Sequence, residues 1–190
     1  MDPVLVMLAG PNGAGKTTFY RTFLEDKGLP FINADHVAES LHIDAYEAAR
    51  IAEDMRRKLI SRSESFISET VLSDPVGAKV DFLQVAVRKG YEVTLFFIGI
   101  ESAALSKARV QARVMAGGHD VPTEKLMKRY DRTLLNLGRA ISVLPRVILY
   151  DNSQADDPYR FVAEFRNGNV TRRGGQSPPR WTEPFLRGAI

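Results

Sequence analysis

The stretch VLVMLAGPNGAGKTT, residues 4–18, decides the fold. Val4–Leu8 is a continuous apolar run, the signature of a strand buried on both faces of a parallel sheet. It runs into Gly10-Pro11-Asn12-Gly13-Ala14-Gly15-Lys16-Thr17, which fits G-x-x-x-x-G-K-[ST]. Glycines at these positions let the backbone curl, so that successive N–H groups point into one concavity. The helix expected next, over Thr18–Lys27, begins there with its positive end. The expected nucleotide-binding set in this loop is Gly10, Asn12, Gly13, Ala14, Gly15, Lys16, Thr17 and Thr18. Lys16 reaches the β- and γ-phosphates, the Thr17 hydroxyl ligates Mg²⁺, and Thr18 adds an α-phosphate contact. An accidental glycine turn is the bland alternative, and the flanking strand and helix patterns weigh against it.

Outward from this loop, further strands are predicted at Leu29–Ile32, Ser65–Ser68, Tyr91–Ile98 and Arg146–Tyr150. Asp74-Pro75 reads as an N-cap and first helical residue, opening a helix that ends near Gly90. From Pro122 to Leu144, Met127, Tyr130, Leu134, Leu137, Ile141 and Leu144 recur at spacings of three and four, giving one apolar helix face. Alternating strands and helices imply an α/β three-layer sandwich around a mostly parallel sheet. Phe161–Arg173, with Asn167-Gly168 inside it, predicts an edge hairpin. The organisation expected is one domain over residues 1–173 and a loop-rich tail over 174–190, in which Trp181 is a packing anchor.

The chain has 190 residues, no cysteine and a net charge of +3. That length suits one domain with a sufficient core, and the missing thiols exclude disulfide scaffolds, thiolate zinc sites and cysteine nucleophiles. No apolar run approaches the roughly 18–20 residues that span a bilayer, and Met1-Asp2-Pro3 carries no basic signal region. A cytoplasmic protein without a membrane partner is expected. The charge is too mild to argue for nucleic acid. It is also unevenly spread: residues 107–139 hold 8 Lys/Arg against 3 Asp/Glu, and residues 166–187 hold 5 against 1.

A phosphate loop alone does not separate kinases from switches, motors and transport ATPases. Phosphoryl transfer to a hydroxyl needs a group that orients or accepts its proton, and cations that offset charge on the phosphoryl group. In an open parallel sheet these stand at the carboxyl ends of strands. Asp35 follows the second predicted strand, and Glu69-Thr70 follow the third. Asp35 could instead cap a helix beginning at His36, and Glu69 with Thr70 is better explained as substrate binding. Arg109 and Arg113 share a helix face, Gly117-Gly118-His119-Asp120 breaks the helix, and Arg129 and Arg132 follow. This is the pattern of a helical lid near residues 101–144, set against the alternative of a solvated cationic face. His36, His42 and His119 form no local metal motif.

GPNGAGKTT, Asn33-Ala34-Asp35, SETVLS at 68–73, ARVMAGGHDVP at 112–122, KRY at 128–130, Asn136-Leu137 and YDNS at 150–153 together resemble zeta-toxin-like P-loop kinases. The resemblance spans about Val4 to Ser153. It implies a P-loop NTPase fold of kinase type with a five-stranded sheet ordered 2-3-1-4-5. It also implies ATP and Mg²⁺ as cofactors, an acceptor that is a small molecule such as the nucleotide sugar UDP-N-acetylglucosamine, and an antitoxin protein as a partner. By motif, Asp35 is the base for the acceptor hydroxyl, Glu69 helps bind the acceptor, and Arg113 and Arg129 approach the transferring phosphate, so that Lys16, Asp35, Arg113 and Arg129 form the catalytic set. The Asp151–Ser153 stretch, with Asn152, passes the adenine. The insertions that embrace the nucleotide sugar in the best-known toxins are short or absent. The rival readings are a nucleotide hydrolase driving a conformational or partner switch, and a kinase acting on another nucleotide or a nucleic-acid end.

Overall fold

The computed structural model describes residues 2–115 and 123–186. The glycine break at residues 117–120 and His119 lie outside the described residues. Strand β1 (Val4–Ala9) is the apolar run expected, and it sits inside a seven-stranded sheet. The others are β2 (Phe31–Ile32), β3 (Phe66–Thr70), β4 (Glu92–Gly99), β5 (Arg146–Asp151), β6 (Arg160–Arg166) and β7 (Asn169–Arg173), in the order β2-β3-β1-β4-β5-β6-β7. The five parallel strands follow the implied order 2-3-1-4-5. The hairpin turns at Asn167-Gly168 and adds two antiparallel strands to the β5 edge, so the sheet is wider than the five strands expected.

Helices cover both faces: α1 (Lys16–Phe23), α2 (Ala34–Leu41), α3 (Ala45–Ser61), α4 (Ala78–Arg88), α5 (Ala103–Met115), α6 (Thr123–Val143) and the short α7 (Glu183–Leu186). Leu5, Met7, Phe66, Leu95, Phe97, Val147 and Leu149 belong to the core of buried apolar side chains. None of the described helices is long and apolar enough to cross a membrane.

Several elements differ from the sequence expectation, mostly by one or two residues at an end. Strand β3 runs to Thr70, so Glu69 and Thr70 end the strand instead of following it. Helix α4 begins at Ala78 rather than at Pro75, because Gly77 takes a left-handed turn (φ 83°) in between. The N-cap is Gly77 and not Asp74, whose carboxylate reaches the first turn from outside by accepting from the Ala78 N–H at 2.5 Å. Helix α3 had no counterpart in the predicted elements. Asp44 caps it by accepting from the N–H groups of Tyr46 and Glu47, and Ala48, Ala52, Arg56 and Ile60 form its buried stripe. Past β7 the chain folds back, and Trp181 is 5% exposed with its ring 5.7 Å from that of Phe97. Its Nε1 donates to Asp151 Oδ1 at 2.8 Å.

Candidate active site

The carboxyl ends of β1 and β3 are level, with Leu8 opposite Glu69 and Ala9 opposite Thr70. The loop leaving β1 passes so close to β4 that a Cβ on Gly10 (φ 141°) would lie 2.1 Å from the Ile98 carbonyl oxygen. Gly13 and Gly15 are left-handed, and α1 starts directly after Gly15 with no side chain capping it. Its first N–H groups are therefore available to an anion.

Lys16 is 7% exposed, and its Nζ donates to the Pro11 carbonyl at 3.2 Å and stands 3.7 Å from Glu69 Oε1. Burial holds the Lys16 ammonium below its ordinary pKa. The Glu69 and Asp35 carboxylates oppose that shift, and Arg113 adds to it. Glu69 joins three elements, because its Oε2 also accepts from the Thr17 hydroxyl at 2.9 Å and from Asn33 Nδ2 at 3.0 Å. Asn33 in turn accepts from the Asp35 N–H at 2.7 Å. The residue capping α2 is thus Asn33, and Asp35 lies in the first helical turn with its carboxylate uncommitted to the cap. Asn33, and not Asp35, therefore supplies the cap expected at this helix start.

These groups line one cleft of about 530 Å³. It brings together Asn12, Gly13, Gly15, Lys16, Thr17 and Thr18 of the loop with Asp35, Glu69 and Arg113. The other expected site residues lie outside its lining. Gly10 and Ala14 are buried members of the loop. Thr70 turns its hydroxyl to the Leu72 N–H. Arg129 is partly buried on α6, one turn before Thr133, whose hydroxyl donates to the Val71 carbonyl. Asn152 grips the loop from the β5 side, donating from Nδ2 to the Ala14 carbonyl at 2.8 Å.

Four further residues belong to the site. Besides Asn33, Tyr159 donates to the Gly15 carbonyl at 3.0 Å, and Arg109 donates to the carbonyls of Asn152 (2.7 Å) and Ser153 (3.1 Å) while lining the cleft. Glu39 lines it one helical turn after Asp35. Its spacing of four from Asp35 was the signal available in the sequence. Tyr159 acts over a long chain separation, which no local pattern reveals, whereas Arg109 is one of the two arginines that the helix spacing singles out.

The donor set suits nucleotide phosphate with Mg²⁺. Among the described residues no group of three or more His, Cys, Asp or Glu side chains could hold a metal by itself. Magnesium in such sites takes few protein oxygens and completes its shell with water and phosphate. The Thr17 hydroxyl and the Glu69 carboxylate, side by side at the loop, are hard oxygen donors of that kind.

Comparison with known proteins follows this geometry. The model of a family described as AAA domain matches residues 5–133. An uncharacterized protein of Haemophilus influenzae is 29% identical over 135 residues, which cover 68% of this chain and 94% of that protein. The structure is similar to that of the PezAT chromosomal toxin-antitoxin system of Streptococcus pneumoniae, with TM-score 0.57, 22% identity, and coverage of 86% of this chain and 71% of that one. It is also similar to AvrRxo1-ORF1:-ORF2 with ATP, with TM-score 0.68, 20% identity and 90% of this chain covered. The chain spans only 60% of that protein's length. At such identities these likenesses establish the fold. The chain belongs to the AAA domain family and takes the zeta-toxin-like P-loop kinase fold that its motifs imply.

Proposed function

We propose that the protein is an ATP- and Mg²⁺-dependent kinase that transfers the γ-phosphoryl group to a hydroxyl of a small molecule. The observation carrying this reading is that Lys16, Thr17, Asp35, Glu69 and Arg113 line one cleft. The loop N–H groups and Lys16 hold the nucleotide phosphates. Thr17 and Glu69 hold Mg²⁺, which when bound offsets charge on the phosphates. Asp35, in the first turn of α2 and free of the cap, orients the acceptor hydroxyl and takes its proton. Glu69 also borders the acceptor, Thr70 supports that strand end from outside the cleft, and Arg113 faces the transferring phosphoryl from α5. Arg129 joins on closure of the lid at residues 101–144, which shields the reaction from water. Asn152 and Arg109 support the nucleotide end of the loop. Residues 1–173 act as one kinase domain, working in the cytoplasm where ATP is supplied.

UDP-N-acetylglucosamine, implied by the motif resemblance, is the first acceptor to try. The same resemblance makes an antitoxin the protein partner to seek by co-purification. The test of the reaction itself is incubation with ATP, Mg²⁺ and an acceptor panel, followed by mass analysis of products. Asp35→Ala is expected to lower turnover by about 10²–10⁴-fold, and Arg113→Ala by up to about 10³–10⁵-fold, with ATP binding largely kept. Lys16→Ala impairs both. A second reading, a nucleotide hydrolase coupled to a partner, draws on the direct Thr17–Glu69 bond, because such an enzyme also needs an acid on the metal side. Rapid hydrolysis independent of any acceptor favours it.

A further inference from the structure

Helix α5 packs on the phosphate loop along one stripe. Ser106, Arg109, Val110 and Arg113 follow one another at helical spacing, so they share a face of the helix. That face meets the loop at a glycine. A Cβ on Gly13 would lie 3.0 Å from the Arg109 Cβ, 3.1 Å from the Ser106 carbonyl oxygen and 3.7 Å from Val110 Cγ2. Ser106 and Val110 are each 1% exposed. A side chain at position 13 would hold the helix off, and glycine lets it seat.

Polar bonds fasten this seat. The Ser106 hydroxyl donates to the Asn12 carbonyl, inside the loop, at 2.7 Å. One turn on, Arg109 donates to the Asn152 and Ser153 carbonyls, and Asn152 donates in turn to the Ala14 carbonyl. At the start of the helix, the N–H groups of Leu105 and Ser106 donate to the hydroxyl and carbonyl of Ser102. The first turns of α5, the loop and the turn after β5 thus form one closed network. Arg113 stands seven residues beyond Ser106, about 10.5 Å further along the axis at 1.5 Å per residue. It lines the cleft from an exposed position, so the backbone that carries it decides where its guanidinium can reach.

We infer that Ser106 is a positioning residue for phosphoryl transfer: by fastening α5 to the Asn12 carbonyl, it sets Arg113 against the transferring phosphoryl before any acceptor arrives. This rests on the kinase reading above and deepens it. The first turns of α5 move with the loop that holds the phosphates, and closure of the lid brings its remaining groups to an Arg113 already in place. A cation fixed in advance stabilises charge developing in the transition state without reorganising at that moment. Ser106 touches neither nucleotide nor acceptor in this scheme. It acts through the loop on one side and through Arg113 on the other.

The test needs no acceptor. The full chain is given Mg²⁺ and ADP with and without aluminium fluoride, which takes the place and shape of the transferring phosphoryl, and displacement of a fluorescent ADP analogue reads both affinities. The parent is expected to bind ADP at least about 100-fold more tightly with aluminium fluoride, as transition-state analogues do, and Arg113→Ala to lose most of that gain. Ser106→Ala is expected to keep the affinity for ADP alone within about 3-fold, to lose about 10-fold of the gain, and to lose nothing more when added to Arg113→Ala. A gain that Ser106→Ala leaves unchanged, or equal losses on the parent and Arg113→Ala backgrounds, overturns the inference, since the serine then serves the fold alone. A parent that binds ATP and ADP but gains nothing from aluminium fluoride also overturns it, and leaves the kinase reading standing. A parent that binds no ATP overturns both.

Discussion

Replacing Asn33 by alanine removes two interactions of one buried side chain, and their sizes can be worked separately. Asn33 is 5% exposed, so its polar atoms depend on protein partners. Its Oδ1 caps α2 through the Asp35 N–H at 2.7 Å, an interaction worth about 1 kcal/mol. Its Nδ2 donates to the Glu69 carboxylate at 3.0 Å, a charge-assisted bond worth about 1.5–3 kcal/mol. The lower end applies, because Glu69 keeps Thr17 at 2.9 Å and Lys16 at 3.7 Å. The sum for Asn33→Ala is about 2.5 kcal/mol, and at about 2–4 °C per kcal/mol for a chain of this size Tm falls by about 5–10 °C. Asn33→Asp keeps a good cap but sets a carboxylate against Glu69. Its deficit is expected at pH 7 and shrinks as pH falls through the carboxylate range near 4, where the repulsion is relieved by protonation. Urea unfolding of the three proteins at pH 7 and pH 4 measures both effects. An Asn33→Ala loss below about 0.5 kcal/mol, or an Asn33→Asp deficit indifferent to pH, refutes the reasoning.

Burial raises the Glu53 carboxyl, but its bonds and charges with Lys79 and Arg56 outweigh that and hold it at about 2, against 4.5 for an unperturbed group. A depressed carboxylate stabilises the fold above pH 4.5, and that contribution is lost as pH falls from 4.5 toward 2. Glu53→Gln therefore costs about 1–3 kcal/mol at pH 7, discounted for a side chain partly open to water, and the gap from the parent closes across that window in acid titrations of stability. Trp181→Ala is expected to cost about 3–5 kcal/mol in urea unfolding, while Trp181→Phe, losing chiefly the bond to Asp151, costs about 1–1.5 kcal/mol. Arg109→Ala frees the Asn152–Ser153 turn and should raise KM for ATP about 10-fold in steady-state kinetics, with a smaller effect on kcat.

The phosphate loop was legible in the sequence because its geometry dictates residue type. The approach of Gly10 to Ile98 and the left-handed backbone at Gly13 and Gly15 leave glycine as the fitting choice, so the spacing survives as a pattern. The parallel strands were legible for a similar reason, since burial on both faces leaves continuous apolar runs. Helix α3 was not, because its buried stripe consists of Ala48, Ala52, Arg56 and Ile60, which contrast weakly with an exposed face rich in charge. Arg56 sits there 4% exposed, paired with Glu53 and bonded to Ser68. The end of β2 at Ile32 was legible, but the start of α2 was not, because Asn33 and Asp35 are both capping residue types and residue type alone does not choose between them. The supports of the loop, Tyr159 and Asn152, lie more than a hundred residues along the chain from Gly15 and Ala14, and only the folded sheet brings them together.

The most direct test of the account follows the label of [γ-³²P]ATP through the full chain with Mg²⁺ and the acceptor panel, for the parent and Asp35→Asn. The account predicts that the parent delivers the label to an acceptor hydroxyl, with ADP formed in step, and that Asp35→Asn binds ATP normally but transfers at least about 100-fold more slowly. Label recovered wholly as orthophosphate, at a rate no acceptor changes and Asp35→Asn leaves intact, would contradict it.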